Sequence, residues 1–356
     1  MQNILKKNNS STEFQSKAAI SKNSFDFLRY LFAFIVVLAH LIDLTGIPEI
    51  KFLKKYIDSQ LAVAGFFIIS GHLIYPSLLR SSTLTSYFTK RAKRLLPAYI
   101  LFVILAFTLL SLISSLPFHL YWKNWGLVKY ILANLSFLNF LYPCLPGVFD
   151  SNVLCAVNGA LWTIKIEIGF YLVLPLLAWL INKFQSKTLF YLFLYGLGLF
   201  YKTCLWALSS IMPEKAQLFE LLNHQLPAYF MYFGAGMFLY DFKVQLQRLP
   251  KSIYFIAILD CLIEYGLKLE ICFPFAFAVL IIAFANNSTL LNNWGKHGDF
   301  SYGIYLIHFP IIQTAVQLGY FKQYAFLIVA LFILIVVNFF AILSWHLIEK
   351  RFLQSR

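Results

Sequence analysis

The chain has 356 residues, of which 60% are apolar, 19% aromatic and only 12% charged. A soluble domain carries about a quarter charged residues, so this composition excludes a water-soluble globule. The net charge of +14 does not point to nucleic acid. Lys and Arg gather at predicted helix ends, as membrane topology and anionic lipid both require, and no nucleic-acid-binding motif accompanies them.

Apolar runs long enough to cross a hydrocarbon core about 30 Å thick recur along nearly the whole chain. Backbone polar groups in lipid must be satisfied within helices, so the sequence predicts an all-α integral membrane fold. Residues 1–25 are polar and rich in Ser, Asn and Lys, with no apolar core ahead of a cleavage site, and read as a disordered cytoplasmic tail rather than a signal peptide. Ten transmembrane helices in one bundle are then expected, over 26–45, 61–79, 96–116, 159–181, 188–208, 225–241, 252–269, 271–286, 301–319 and 324–346. Together they make a single membrane domain over 26–350, with a short cytoplasmic tail at 351–356 and no second domain or internal repeat. The apolar stretch 127–142 is too short to span and reads as a re-entrant or interfacial helix. Placing both termini in the cytoplasm puts eighteen of the 29 Lys and Arg on the inner side, as the positive-inside rule asks. Lys51, Lys54 and Lys55, in the first outer loop, run against that trend.

Ionisable groups inside hydrocarbon cost about 2.5–3.5 kcal/mol each on insertion scales and mark candidate functional positions. The first span carries Arg29 near its cytoplasmic end and His40 near its outer end. Eleven residues are three helical turns, so both side chains share one face, about 16 Å apart along the axis. Asp26 lies three residues before Arg29 and Asp43 three after His40, each on a neighbouring position of that stripe. An acid beside an imidazole fixes its tautomer and raises its basicity, as a general base requires. The structural alternative stands equally at this point: Arg29 snorkels to the interface and His40 bonds a neighbouring helix.

Further along, Ser70-Gly71 lies in an apolar helix without an adjacent base and reads as a close-packing notch, since a nucleophile elbow would need Gly-x-Ser-x-Gly. Lys90, Arg91, Lys93 and Arg94 place four positive charges in five residues on the cytoplasmic side. That cluster suits phosphate groups, although an ordinary positive-inside flank has the same composition. Cys144 and Cys155 share the large outer loop 117–158 and pair if that compartment is oxidising. Cys204, Cys261 and Cys272 read as packing residues, and no His/Cys spacing suggests a metal site. Glu167, two turns into its helix, is a candidate catalytic residue and a candidate partner for Arg29, Lys165 or His40. Asp260, Glu264 and Lys268, at four-residue spacing, read as an internally paired helix face. His308, His119, His224 and His297 are read as structural.

These features, in this order, resemble the acyltransferase-3 family of integral membrane acyltransferases. Arg29 to His40 is similar to the family's Arg/Lys-x10-His signature, and Gly65 to Gly71, reading GFFIISG, to its Phe-Phe-x-x-Ser-Gly segment. Tyr87 to Tyr99 (YFTKRAKRLLPAY) resembles its basic stretch ending in Leu-x-Pro-x-Tyr, and Leu161 to Pro175 (LWTIKIEIGFYLVLP) its Leu-Trp-x-x-x-x-Glu-x-x-Phe-Tyr-x-x-x-Pro block. Ser301 to Pro310 (SYGIYLIHFP) is similar to Ser-Tyr-x-x-Tyr-Leu-x-His-x-Pro, and Glu349 to Phe352 to the closing Glu-x-x-Phe. His72 and Lys165 depart from the pattern. The chain ends soon after its last predicted span, so the extracytoplasmic hydrolase-like domain of some members is not expected.

The resemblance implies O-acetyltransferase chemistry in a bacterial inner membrane. An acyl group, usually acetyl, passes from cytoplasmic acyl-CoA to a hydroxyl of an extracytoplasmic or lipid-linked glycan, such as lipopolysaccharide or exopolysaccharide. Lys90, Arg91, Lys93 and Arg94 would hold the donor's charged end. Arg29 would hold the donor or offset oxyanion charge, and His40 would take the acceptor proton with Asp43 orienting it. An acyl-His40 intermediate is the alternative route. The rival reading from another class is a transporter or flippase for a glycan or lipid intermediate, which also needs buried charges in a bundle.

Overall fold

The computed structural model describes residues 23–246, 248, 250–288 and 291–354; nearly all of the tail expected at 1–25 lies outside them. The principal helices are α1 (Phe25–Thr45), α2 (Ser59–Leu79), α3 (Leu84–Leu109), α4 (Trp125–Leu135), α5 (Trp162–Ile181), α6 (Lys187–Ile211), α7 (Phe230–Asp241), α8 (Ser252–Leu267), α9 (Phe273–Asn287), α10 (Ser301–Gln317) and α11 (Phe326–Ser344). Short helical turns join them. Among the described residues the one β pairing is an isolated bridge between Cys144 and Ala156.

The all-α expectation holds. Among the described residues, six helical segments are long and apolar enough to cross a membrane: Phe25–Thr45, Ser59–Leu79, Leu84–Ile113, Gly159–Ile181, Lys187–Ile211 and Phe326–Gln354. The chain is a multi-pass membrane protein. Along α11, Leu327, Ile328, Leu331, Phe332 and Ile335 are exposed, while Val329, Ala330, Ile333, Val337 and Ala341 are buried. A helix that is apolar all round, with its bulky side outward, suits hydrocarbon and not water.

Each of the other four predicted spans also carries a helix, but shorter than expected: α7 has 12 residues, α8 16, α9 15 and α10 17. Local chemistry sets these lengths. Pro227 heads a 3-10 turn, Leu226–Tyr229, in front of α7. Lys268 takes a left-handed conformation (φ +57°) that stops α8. Pro274 fixes the first turn of α9. Gly319 (φ +72°) stands just beyond α10, a conformation that glycine adopts without steric cost. Within the stretch 127–142, only α4 is helical, because the chain turns away at Phe137 (φ +60°). At the other end, Lys350–Gln354 is helical where a tail was expected.

The chain divides into two compact units whose boundaries fall inside α1, α2, α3 and α5 and just after Trp294. One comprises residues 23–28, Val63–Thr89 and Ile166–Trp294. Here the notch expected at Gly71 is real: a Cβ there would collide with the carbonyl oxygen of Phe233, and one at Gly236 with the carbonyl oxygen of Ile68. α2 and α7 thus approach backbone to backbone, the mode that small residues permit in membranes. The rings of Phe170 and Phe233 stack beside this contact, with centroids 4.0 Å apart. His72, a departure from the family pattern, is buried with Nδ1 3.3 Å from the carbonyl oxygen of Gly236, which it meets as a donor. Asp241 accepts from Tyr191 (2.9 Å) and Tyr75 (3.4 Å) and pairs with Lys187 (3.1 Å).

The paired face expected on α8 does not form. Lys268 has left the helix, and Glu264 accepts from the main-chain amides of Cys272 and Phe273 at 2.8–3.0 Å, capping the start of α9. Helical spacing was extrapolated one residue too far; the orphan amides at a helix start are a better partner for a buried carboxylate. Cys272, expected to be a packing residue, is exposed, while Cys204 and Cys261 are partly buried.

The second unit comprises Arg29–Ala62, Lys90–Lys165 and residues 295–354. α10 and α11 pack at Gly303, where a Cβ would stand 2.9 Å from the Cα of Ala341. The loop 117–158 is closed by a disulfide between Cys144 and Cys155, the pairing their shared loop allowed. It is tied to α10 by Gln313, which donates to the carbonyls of Leu154 (2.6 Å) and Ala156 (3.0 Å), and by Asn152, which donates to Gln313 (2.9 Å). Lys54, in the 3-10 segment Pro48–Lys55, forms an ion pair with Asp43. That pair gives one of the three anomalous outer-loop lysines a local reason to be there.

Candidate active site

The strip of α1 from Arg29 to His40 lies along the segment 299–309. Arg29 Nη2 is 3.2 Å from Asp299 Oδ2, just ahead of α10. Three turns later, His40 Nδ1 is 2.9 Å from His308 Nε2, and its ring meets Phe309 edge-on at 5.0 Å. Both ends of the α1 stripe therefore face the same helix, with chain direction in common. The start of α1 meets the start of α10, and the outer part of α1 meets the middle of α10. The shared face predicted from the eleven-residue spacing is present.

At the α10 start, Asp299 is only 8% exposed and bonds two guanidinium groups. Besides Arg29, it accepts from Arg94 Nη2 at 2.5 Å, and Arg94 Nη1 reaches Glu349 Oε2 at 3.4 Å. Glu349 is 1% exposed and accepts from Ser344 at 2.9 Å across the π-helical turn Trp345–Glu349. The Arg94 guanidinium also lies 5.9 Å from the Tyr302 ring centroid and 5.8 Å from that of Trp345. Gly298 is held at φ +137°, where a Cβ would collide with the Trp345 indole. Ser301 donates its hydroxyl (2.5 Å) and amide (3.3 Å) to Asp299 Oδ1. Burial pushes the Asp299 pKa up, but the two guanidiniums and Ser301 outweigh it and hold the carboxyl at about 2. Two guanidiniums and two carboxyl groups are thus packed into one hydrogen-bonded set.

Around His40, polar anchors fix α10. Asn158 donates to the carbonyl of Leu306 (2.8 Å), Tyr305 donates to the carbonyl of Ala160 (2.8 Å), and the Tyr305 and Thr163 hydroxyls meet at 2.5 Å. His308 is 0% exposed, with Nδ1 3.0 Å from the carbonyl of Ile304. Its placement could have been inferred from the run Tyr305-Leu306-Ile307-His308, a polar ring in an otherwise apolar helix, but nothing in the sequence names its partner.

Among the predicted site residues, the structure brings Arg29 and Arg94 together through Asp299. Lys90 is exposed and Arg91 and Lys93 partly so, on the turns of α3 beside Arg94. Asp43 does not meet His40. Its carboxylate pairs with Lys54, and His40 Nδ1 meets His308 instead. Neighbouring positions on a helix put two side chains within range of each other, but a cation from the adjoining loop is a stronger partner for a carboxylate than a neutral imidazole. Glu167 belongs to the other unit, where it accepts from Tyr171 one turn on, and Lys165 lies over the Phe140 ring at 4.5 Å. Asp299 was missed altogether. The available signal was an acid two residues before a serine at a predicted helix start, where an aspartate accepts from the backbone two residues on.

A family model described as an acyltransferase domain matches residues 22–346. The chain belongs to the acyltransferase-3 family. It is accordingly a membrane-bound acyltransferase. It is 25% identical over 338 residues to an O-acetyl transferase of Shigella phage Sf6, covering 93% of this chain and 96% of that one. It is also 25% identical over 363 residues to Nodulation protein 10 of Rhizobium leguminosarum bv. viciae, covering 94% of each. An uncharacterized protein of Haemophilus influenzae is 30% identical over 172 residues, covering 47% of this chain and 66% of that one. No solved structure matches. The acyltransferase domain as matched contains Arg29, His40, Arg94, Asp299 and His308 and ends three residues short of Glu349.

Proposed function

We propose that this protein is an O-acetyltransferase of a bacterial inner membrane, carrying acetyl from cytoplasmic acetyl-CoA to a hydroxyl of a cell-surface or lipid-linked glycan. The observation that carries this reading is the placing of Arg29 and His40 three turns apart on one helix, both against the segment 299–309. The near full-length likeness to an O-acetyl transferase supports the choice of acetyl and of oxygen as the acceptor atom.

Orientation follows from α3. Its first turns carry Lys90, Arg91, Lys93 and Arg94, and beyond its far end lies the loop closed by Cys144–Cys155. Disulfides persist in oxidising compartments and basic segments stay in the cytoplasm, so the two ends of α3 take opposite sides. With the four shorter helices counted as spans, ten crossings leave both termini inside. At 15–17 residues, α8, α9 and α10 are about 23–26 Å long, close to the hydrocarbon thickness.

Lys90, Arg91 and Lys93 meet the donor's phosphates, and Arg29 and Arg94, already held in place by Asp299, stand where the donor enters between helices. The thioester reaches His40 from that side and the glycan hydroxyl from the other. The hydroxyl proton passes to His40 as oxygen bonds the thioester carbon. The C–S bond then breaks, and the departing thiolate takes the proton back from His40. Membrane vesicles of defined sidedness test this. Labelled acetyl-CoA supplied outside inverted vesicles should label the glycan, and the same donor outside right-side-out vesicles should not. Movement of unacetylated glycan across the membrane with no release of CoA would instead establish a transporter.

A further inference from the structure

We infer that His308 is a positioning residue for His40, doing for the imidazole what the sequence assigned to Asp43. The inference rests on the acyltransferase reading above and adds to it the tautomer of the base. It follows from hydrogen-bond chemistry alone. His308 Nδ1 is 3.0 Å from the carbonyl oxygen of Ile304, and a carbonyl can only accept, so Nδ1 carries the hydrogen. A neutral imidazole has one hydrogen, so His308 Nε2 holds a lone pair. That lone pair is 2.9 Å from His40 Nδ1, which must therefore donate. Neutral His40 is thus fixed with its hydrogen on Nδ1 and its lone pair on Nε2.

Nε2 is the nitrogen left for chemistry. No hydrogen bond to it is formed among the described residues, and the His40 side chain is only partly buried while His308 is sealed at 0% exposure. The packing holds this arrangement still. The His308 and His40 rings meet edge to edge, 24° from coplanar with centroids 5.1 Å apart, Phe309 closes the adjacent side, and Asn158, Thr163 and Tyr305 pin the α10 turn that carries His308. When His40 takes the acceptor's proton on Nε2, its Nδ1–H continues to donate to the neutral His308, whose own hydrogen stays on Ile304. The imidazolium keeps the acceptor it already had and no proton moves to His308. This is the role that an aspartate plays behind the base in a hydrolase triad, filled here by a neutral ring in an apolar helix. A carboxylate at this buried place would need its own compensating charge, which a neutral acceptor does not.

Two variants and one spectrum test it. His308→Leu keeps the bulk and removes the acceptor, and His308→Gln keeps an acceptor oxygen at the reach of Nε2. With acetyl-CoA and glycan acceptor, kcat should fall at least about 100-fold in the leucine variant with KM for acetyl-CoA within about twofold, and the glutamine variant should recover most of that loss. In ¹⁵N-histidine spectra of the wild-type protein, the signal lost on His40→Ala should show a protonated Nδ1 and an unprotonated Nε2. This readout is indifferent to whether the position 308 variants fold. A protonated Nε2 in that spectrum overturns the inference, as does wild-type kcat in His308→Leu. In that case acyl transfer itself stands, provided His40→Ala is dead. A wild-type protein that transfers nothing from acetyl-CoA removes the reading underneath.

Discussion

Acetyl transfer by His40→Ala should fall by about 10³-fold relative to the wild type, at saturating acetyl-CoA and acceptor. The imidazole has no substitute nearby. Asp43 is committed to Lys54, and His308 is fully buried with Nδ1 spent on Ile304. The Arg29–Asp299–Arg94 cluster lies three turns away along α1, about 16 Å by helical rise, so its geometry should survive the substitution. The loss should therefore appear in kcat, with donor binding retained. By contrast, Asp43→Asn should leave transfer within a few-fold of wild type, since its partner is a loop lysine and an exposed pair of this kind is worth about 0–1 kcal/mol. Initial rates of labelled acetyl incorporation check both.

Asp299→Ala is the second large effect, and it falls on stability. The carboxylate is the shared counter-ion of Arg29 and Arg94, whose side chains are only 26% and 20% exposed. Removing it takes from both cations the buried carboxylate that they share. Breaking a buried ion pair by deleting one partner costs about 3–5 kcal/mol, so the thermal midpoint of the detergent-solubilised protein should fall by many degrees. The same group sets an acid limit. Its folded pKa is depressed to about 2, below the ordinary aspartate value of about 3.9, so its contribution is present above that ordinary value. It is lost as pH falls from about 4 toward 2. Wild-type thermal stability should therefore drop through that window, and Asp299→Asn should lack this component of the drop.

Much of this is legible in the sequence. The eleven-residue interval between Arg29 and His40 fixed their common face because helical rise and twist are invariant, and the paired halves of loop 117–158 needed only two cysteines in one segment. What failed shares one cause: interactions that sequence spacing cannot see. Asp43 was assigned to His40 because they are neighbours on a helix, whereas Lys54 arrives from a separate 3-10 segment. Asp299 is 270 residues from Arg29 and 205 from Arg94 in the chain, so no periodicity links them. On α8, the spacing of Asp260, Glu264 and Lys268 assumed a helix that a left-handed residue had already ended. The same limit applied to span length. Hydropathy marked each of the ten segments, but Pro227, Lys268, Pro274 and Gly319 decide where the helices start and stop.

A single experiment bears on the whole account. Purified protein in lipid nanodiscs is given labelled acetyl-CoA and the glycan acceptor, and free CoA and acetylated glycan are quantified together by mass spectrometry. One CoA should be released for each acetyl ester gained by the glycan, in the wild type and not in His40→Ala. Equal turnover in the two proteins, or a glycan left unmodified while the thioester stays intact, would contradict it.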